Sequence, residues 1–78
     1  MARVEILVPD LGLSSEGIKF GAWLKQPGDS VLKDDDLFEV EADKATVVCE
    51  APISGRLAEV LVTAGEVRLG DVLGYIDA

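Results

Sequence analysis

The chain has 78 residues, 49% of them apolar, and its 15 acidic against 7 basic side chains give a net charge of −8. That length allows one small domain, spanning 1–78, that buries only about 60% of the surface its unfolded form exposes, so a deep catalytic cleft is hard to build. The acidic balance excludes nucleic acid and anionic membrane as natural counterparts and favours basic partners.

The chain has no histidine, which removes serine-histidine and cysteine-histidine catalysis together with histidine metal sites. Cys49 is the only cysteine, so no internal disulfide can form, a pattern suited to a reducing compartment. No apolar run approaches the roughly 20 residues of a membrane span. An acid, Glu5, interrupts the N-terminal stretch, which does not read as a signal peptide. No catalytic residue and no metal ligand is assigned.

Residues 4–8 are aliphatic and β-branched, end at Pro9 and predict a first strand. Residues 10–17, with two glycines and two serines and no periodicity, predict a surface loop. Residues 18–25 predict a second strand with Ile18, Phe20 and Trp23 inward; these three break strict alternation, and Gly21 between them points to a bulge. Gln26-Pro27-Gly28-Asp29 is a turn, because proline presets φ and glycine accepts positive φ.

Val31-Leu32 follows as a short strand and 33–36 as a turn, in which the Asp34-Asp35-Asp36 run reads as solvated, with discouragement of edge-to-edge pairing or a basic partner as the other options. Residues 37–41 predict a strand of near-alternating apolar and acidic residues, 42–44 a tight turn, and 45–50 the returning strand, with Cys49 facing inward as a small hydrophobe. A turn over 51–55, a strand over 57–63, a turn over 64–66, a short strand at Val67, a turn at Gly70-Asp71 and a last strand over 72–76 complete the chain. Many short strands without a helical segment imply a β-sandwich or barrel, with Trp23 as a core anchor.

The two halves repeat. Gly28-Asp29-Ser30-Val31 with Leu37 and Val40 resembles Gly65-Glu66-Val67 with Leu73 and Ile76, one residue shorter at the turn. Trp23-Leu24 stands where Val60-Leu61 stands, and Gly17 roughly where Gly55 does. Two such halves packed about a pseudo-two-fold axis place the chain midpoint at one end and the two termini at the other.

Lys44 lies at that midpoint, between Asp43 and Ala45, and two strands would hold it outward at a hairpin tip. A solvated turn lysine is the plain interpretation of Asp-Lys-Ala by itself. The string Glu41-Ala42-Asp43-Lys44-Ala45-Thr46-Val47 resembles the attachment motif of the lipoyl domains in 2-oxo acid dehydrogenase complexes, where Glu-Thr-Asp-Lys-Ala is usual and only Ala42 departs. The likeness continues through Val8-Pro9-Asp10-Leu11-Gly12, Glu16-Gly17, Trp23-Leu24-Lys25, Gly28-Asp29-Ser30-Val31, Leu37-Phe38-Glu39-Val40, Ala51-Pro52 with Gly55, and Gly70-Asp71-Val72-Leu73. It covers nearly the whole chain. Relative to the family, the 17–23 segment is one residue longer and the Gly65-Glu66-Val67 turn one shorter; both differences bear on local strand register.

The resemblance implies an all-β flattened barrel or sandwich of two four-stranded sheets, with lipoic acid joined as an amide to Lys44 by a lipoate ligase, or by octanoyl transfer and sulfur insertion. It implies that the modifying enzymes respond to Glu41 and Gly28, beside Asp43 and Ala45. A solvated strand-end acid and a backbone need for positive φ account for Glu41 and Gly28 without that role, and for Gly28 the backbone need explains most. The implied function is a carrier, not an enzyme by itself: a thiamine-dependent decarboxylase acylates the arm reductively, an acyltransferase core takes the acyl group to coenzyme A, and the flavoprotein dihydrolipoyl dehydrogenase reoxidises the dithiol. The loop 10–16 contributes to decarboxylase recognition in the family. The isolated domain is expected to be a monomer, in bacterial cytoplasm or mitochondrial matrix.

A biotin carrier shares the fold and the lysine position, but that family places methionine on both sides of its lysine, and here the neighbours are Asp43 and Ala45. An unmodified adaptor module commonly lacks the acceptor lysine. A glycine-cleavage carrier is longer, with helical additions.

Overall fold

The computed structural model describes residues 2–9, 17–42 and 45–78. Eight strands form: β1 (Arg3–Leu7), β2 (Ile18–Trp23), β3 (Ser30–Val31), β4 (Asp36–Ala42), β5 (Ala45–Glu50), β6 (Gly55–Val60), β7 (Glu66–Val67) and β8 (Val72–Asp77). They make two antiparallel four-stranded sheets, β1-β8-β6-β3 and β5-β4-β2-β7, and the described residues hold no helix. The sheets remain separate layers, so the sandwich form of the expectation holds and the closed barrel does not.

The repeat is visible in the topology. Advancing every strand by four converts one sheet order into the other. The hydrogen bonds follow: Leu24 N donates to Leu37 O at 2.9 Å and Leu61 N to Leu73 O at 2.8 Å, as the alignment of Trp23-Leu24 with Val60-Leu61 requires. Likewise Ala51 N donates to Asp35 O at 2.8 Å and Val8 N to Asp71 O at 3.0 Å. Asp34 and Gly70 occupy matching turn positions with φ of 74° and 87°. Three turns share one device, a carboxylate oxygen accepting from the backbone N–H three residues earlier: Asp29 from Gln26, Asp35 from Leu32 and Asp71 from Arg68. The acidic run at 34–36 is the expected solvated turn, with Asp34 and Asp36 exposed and Asp35 also bonding the Leu32 N–H.

The expected bulge lies between Phe20 and Ala22, at Gly21. The same shift falls between Leu57 and Glu59 in the second half, at Ala58. The bulge therefore belongs to both copies of the repeat and is not a consequence of one longer segment. Its effect is to re-phase the strand, so that Phe20 and Trp23, three apart, both turn towards the interior.

Ile6, Leu37, Phe38, Val40, Leu57, Leu73 and Ile76 are essentially sealed from water, and burying each such side chain stabilises by about 1.5–3 kcal/mol. Phe20 lies 6.0 Å from Phe38, and Trp23 sits 5.3 and 5.5 Å from these two rings. Trp23 was expected in the core but is only half-buried: its indole N–H donates at 2.7 Å to the Val62 carbonyl, so the ring caps the core edge with its polar atom satisfied. Cys49 is buried as expected. Strand 18–25 stops at Trp23 and strand 57–63 at Val60, because Leu24 and Leu61 leave the ladder to bond Leu37 and Leu73.

The two ends of the chain pair: Arg3 stands opposite Asp77, and Ala78 N donates to Ala2 O at 2.8 Å. Arg3 bonds Asp77 at 3.1 Å and Glu59 at 3.4 Å and lies 5.4 Å from the Tyr75 ring centroid, pinning β1 as an edge strand.

Candidate functional site

β4 and β5 form the central hairpin. Their register runs from Phe38 opposite Cys49 through Glu41 opposite Thr46 to Ala42 opposite Ala45. That last pair closes the ladder with two residues left between, Asp43 and Lys44, both outside the described residues together with the 10–16 loop. Both hairpin strands carry apolar residues inward: Leu37, Phe38, Val40 and Ala42 are buried on β4, and Cys49 on β5. The base of the connection is thereby fixed by packing, while the residues flanking it are small. Ala45 is exposed and Ala42 points into the core.

Glu41 is exposed on β4, opposite Lys19 of β2 on one side and Thr46 on the other. It thus stands one residue from the closing Ala42–Ala45 pair, on the outward face. Gly28 is elsewhere. It occupies the third position of the Gln26–Asp29 turn, with φ of 97° and Asp29 N donating to Gln26 O at 2.9 Å. Its N–H donates to the Leu57 carbonyl at 2.7 Å, which ties it to β6 in the sheet that holds the chain ends. The structure therefore brings Glu41 and Ala45 together and leaves Gly28 in the β2–β3 turn, tied to the other sheet. Its counterpart in the repeat, Gly65, is the glycine beside the central hairpin: Gly65 O accepts from Phe20 N at 2.8 Å, and the next residue, Glu66, stands opposite Lys19.

Lys19 and Glu66 were not singled out in the sequence. Ile18-Lys19-Phe20 shows that Lys19 faces out, but which residues stand across from it depends on a register that one strand alone does not disclose.

An open groove of about 560 Å³ lies between the edge strands β1 and β5, at the end of β5 remote from Ala45. Glu5, Leu7, Lys33, Val48, Cys49 and Glu50 are among its lining residues. Burial pushes the Cys49 thiol above its ordinary value of 9.0, so the group at its floor is a protonated hydrophobe and not a nucleophile. Among the described residues no group of three or more acids or cysteines is placed to hold a metal, no buried polar side-chain atom lacks a partner, and no helix is long and apolar enough to cross a membrane. What the arrangement offers chemically is a rigid two-stranded arm with one amine, at Lys44, in its two-residue connection.

Comparison with known proteins agrees with this geometry. A family model described as "biotin-requiring enzyme" matches residues 4–76. The chain is 39% identical over 75 residues to the dihydrolipoyllysine-residue succinyltransferase component of the 2-oxoglutarate dehydrogenase complex of Bartonella vinsonii subsp. berkhoffii, covering 95% of this chain and 18% of that protein. The corresponding component of Bacillus subtilis is 44% identical over 73 residues, covering 92% and 18%. The dihydrolipoyllysine-residue acetyltransferase component of the pyruvate dehydrogenase complex of Staphylococcus epidermidis is 44% identical over 78 residues, covering 95% and 17%. The chain spans less than a fifth of the length of these relatives. It belongs to the biotin and lipoyl attachment family, as a lipoyl domain of the dihydrolipoyl acyltransferase type found in 2-oxo acid dehydrogenase complexes.

Proposed function

We propose that this domain is a lipoyl carrier, a swinging arm whose lipoate is joined by an amide to Nζ of Lys44. The observation that supports this most is the coincidence of the only two residues between β4 and β5 with the Asp-Lys of the attachment motif, in a chain whose relatives are named for a dihydrolipoyllysine residue. The described residues fit such a group: the hairpin is closed by two alanines, so no bulky side chain at its base competes for the space around the connection. Bound there, lipoate would supply a dithiolane that takes up an acyl group with two electrons and gives both on.

The chain's own contribution is presentation. Packing of Leu37, Val40 and Ala42 fixes the strand that leads to the connection, and a tether there would keep the attached group at high effective concentration before successive active sites. A free lysine is almost fully protonated at neutral pH, so Nζ loses its proton on transfer from water into the modifying enzyme's site. Asp43 and Ala45 flank the amine, Glu41 offers that enzyme a carboxylate on the outward face, and Gly28 acts through the backbone turn it permits. The partners on this reading are a lipoate ligase or octanoyl transferase, a thiamine-dependent 2-oxo acid decarboxylase, an acyltransferase core and dihydrolipoyl dehydrogenase.

Intact mass after incubation with lipoate ligase and lipoate, in parallel with biotin ligase and biotin, tests the proposal on wild type and Lys44→Ala. A lipoyl increment on the wild type alone is expected. A biotin increment would make the domain a biotin carrier, and no increment with either would leave an unmodified adaptor.

A further inference from the structure

We propose that the enzyme modifying Lys44 reads one outward row of the β5-β4-β2-β7 sheet, Thr46–Glu41–Lys19–Glu66, and that Glu66 and Lys19 are specificity-determining residues acting in opposite directions. The inference rests on the carrier reading above. The row follows from register: Thr46 stands opposite Glu41, Glu41 opposite Lys19, and Lys19 opposite Glu66. All four are exposed. The row inside it, nearer the hairpin end, begins with the closing pair Ala45 and Ala42 and continues through Ile18 and Val67, the last three of which are buried. Among the described residues paired in this sheet, these four are the first exposed row behind the closing pair, with exposed Arg68 following Val67 at the end of β7.

The internal repeat supplies the comparison. The matching row of the other sheet is Arg3–Asp77–Arg56–Ser30. The two rows share geometry but not charge: two carboxylates and one ammonium beside the hairpin, against two guanidiniums and one carboxylate beside the chain ends. The outward face next to the hairpin row adds Glu39 opposite Val48, and Glu50 further along β5. The paired residues of this sheet present Glu41, Glu66, Glu39 and Glu50 against Lys19, an acidic balance that fits a basic surface around the partner's active-site mouth. The geometrically equivalent face is less acidic: its row sets Arg3 and Arg56 against Asp77, with Glu5 and Glu59 on either side of Tyr75 in the row behind. Charge of this kind is felt during association, in kcat/KM and its salt dependence, rather than in the chemical step.

Initial rates of lipoyl attachment by a lipoate ligase, followed by intact mass over a range of domain concentrations, give the test. Glu66→Gln is expected to lower kcat/KM by about two- to fivefold and Lys19→Gln to raise it by a similar factor, with kcat unchanged, as suits single exposed charges. Both differences shrink between roughly 0.05 M and 0.5 M salt, where the screening length falls from more than 10 Å to a few ångströms. Arg56→Gln removes the same charge as Lys19→Gln from the matching place in the other row and is expected to leave the rate unchanged. Equal effects from Arg56→Gln and Lys19→Gln would reduce the proposal to net charge and overturn it, as would unchanged kcat/KM in Glu66→Gln and Lys19→Gln. If the wild type takes up no lipoate, the carrier reading itself fails; if it does and the variants match it, only the row does.

Discussion

Gly28 and Gly65 form a matched pair that separates what a glycine does for the backbone from what it does for a partner. Their φ values are 97° and 95°, and a Cβ added at either would meet nothing within 4 Å. Alanine at these positions therefore costs backbone strain alone, with no steric contribution. L-residues are confined to a small region near φ of about +50 to +70°, and both glycines lie beyond it. A left-handed conformation costs an L-residue about 1–2 kcal/mol, of which alanine recovers about 0.4–1 by stiffening the unfolded chain. With strain at the upper end, the net loss is about 1 kcal/mol at each site, or about 4–8 °C in Tm for a domain of this length. A total stability of roughly 4–12 kcal/mol leaves both variants folded at 25 °C. Thermal melts by circular dichroism give the two losses, and lipoyl attachment at 25 °C gives the functional effect. The expected result is near-equal losses of stability, with attachment to Gly28→Ala no slower than to Gly65→Ala, because the Gly28 turn is tied to the other sheet and Gly65 precedes Glu66 in the hairpin's own sheet. A large, unequal drop in Tm would refute the strain argument. Slow attachment confined to Gly28→Ala would show that the modifying enzyme touches that turn directly.

Two further perturbations test the packing. Trp23→Phe keeps an aromatic ring against Phe20 and Phe38 but removes the N–H that bonds Val62 O at 2.7 Å; a half-buried carbonyl left unpaired costs about 1–2 kcal/mol, read as a lower denaturant midpoint by circular dichroism. Cys49 supplies a pH signature, since burial raises its thiol above 9.0 in the folded state. Below that value both states hold the proton and stability is level; above it the unfolded chain releases its proton first, so stability falls as pH rises towards the folded value. Melts from about pH 8 to 10 are expected to show a downward slope that is shallower in Cys49→Ala, and equal slopes would refute the buried neutral thiol.

Much of the fold was legible because its signals are local. Pro9, Gln26-Pro27-Gly28-Asp29 and Gly70-Asp71 mark strand ends by their own backbone preferences, and the central hairpin follows from 37–41 and 45–50 alternating around Ala42-Asp43-Lys44. The bulge at Gly21 was legible because Phe20 and Trp23 are three apart. What was not legible depends on pairs of distant segments. Ala58 carries the same bulge without a glycine to mark it, so the shift shows only in the β6–β8 register. The half-burial of Trp23 depends on the position of Val62 O, 39 residues away. Glu41 was singled out through the resemblance to the attachment motif, whereas Lys19 and Glu66 were not, because only the β2–β4 and β2–β7 registers bring them to it.

The repeat also explains why one end of so regular a molecule can serve as the attachment site. Where β4 passes into β5 through two residues, the equivalent strands β8 and β1 pair without being consecutive in sequence. The duplicated backbone gives both ends matching registers, with many buried residues in corresponding places, such as Val40 with Ile76 and Leu37 with Leu73. The differences lie in residues that packing does not constrain. At the terminal end those residues are used for closure, with Arg3 bridging Asp77 and Glu59 so that β1 stays on its sheet. At the hairpin end the covalent connection already secures β4 to β5, and the outward side chains Thr46, Glu41, Lys19 and Glu66 are free to differ from their counterparts. Chain continuity thus releases one row of the surface from a structural duty, and that is the row in which recognition of Lys44 can be encoded.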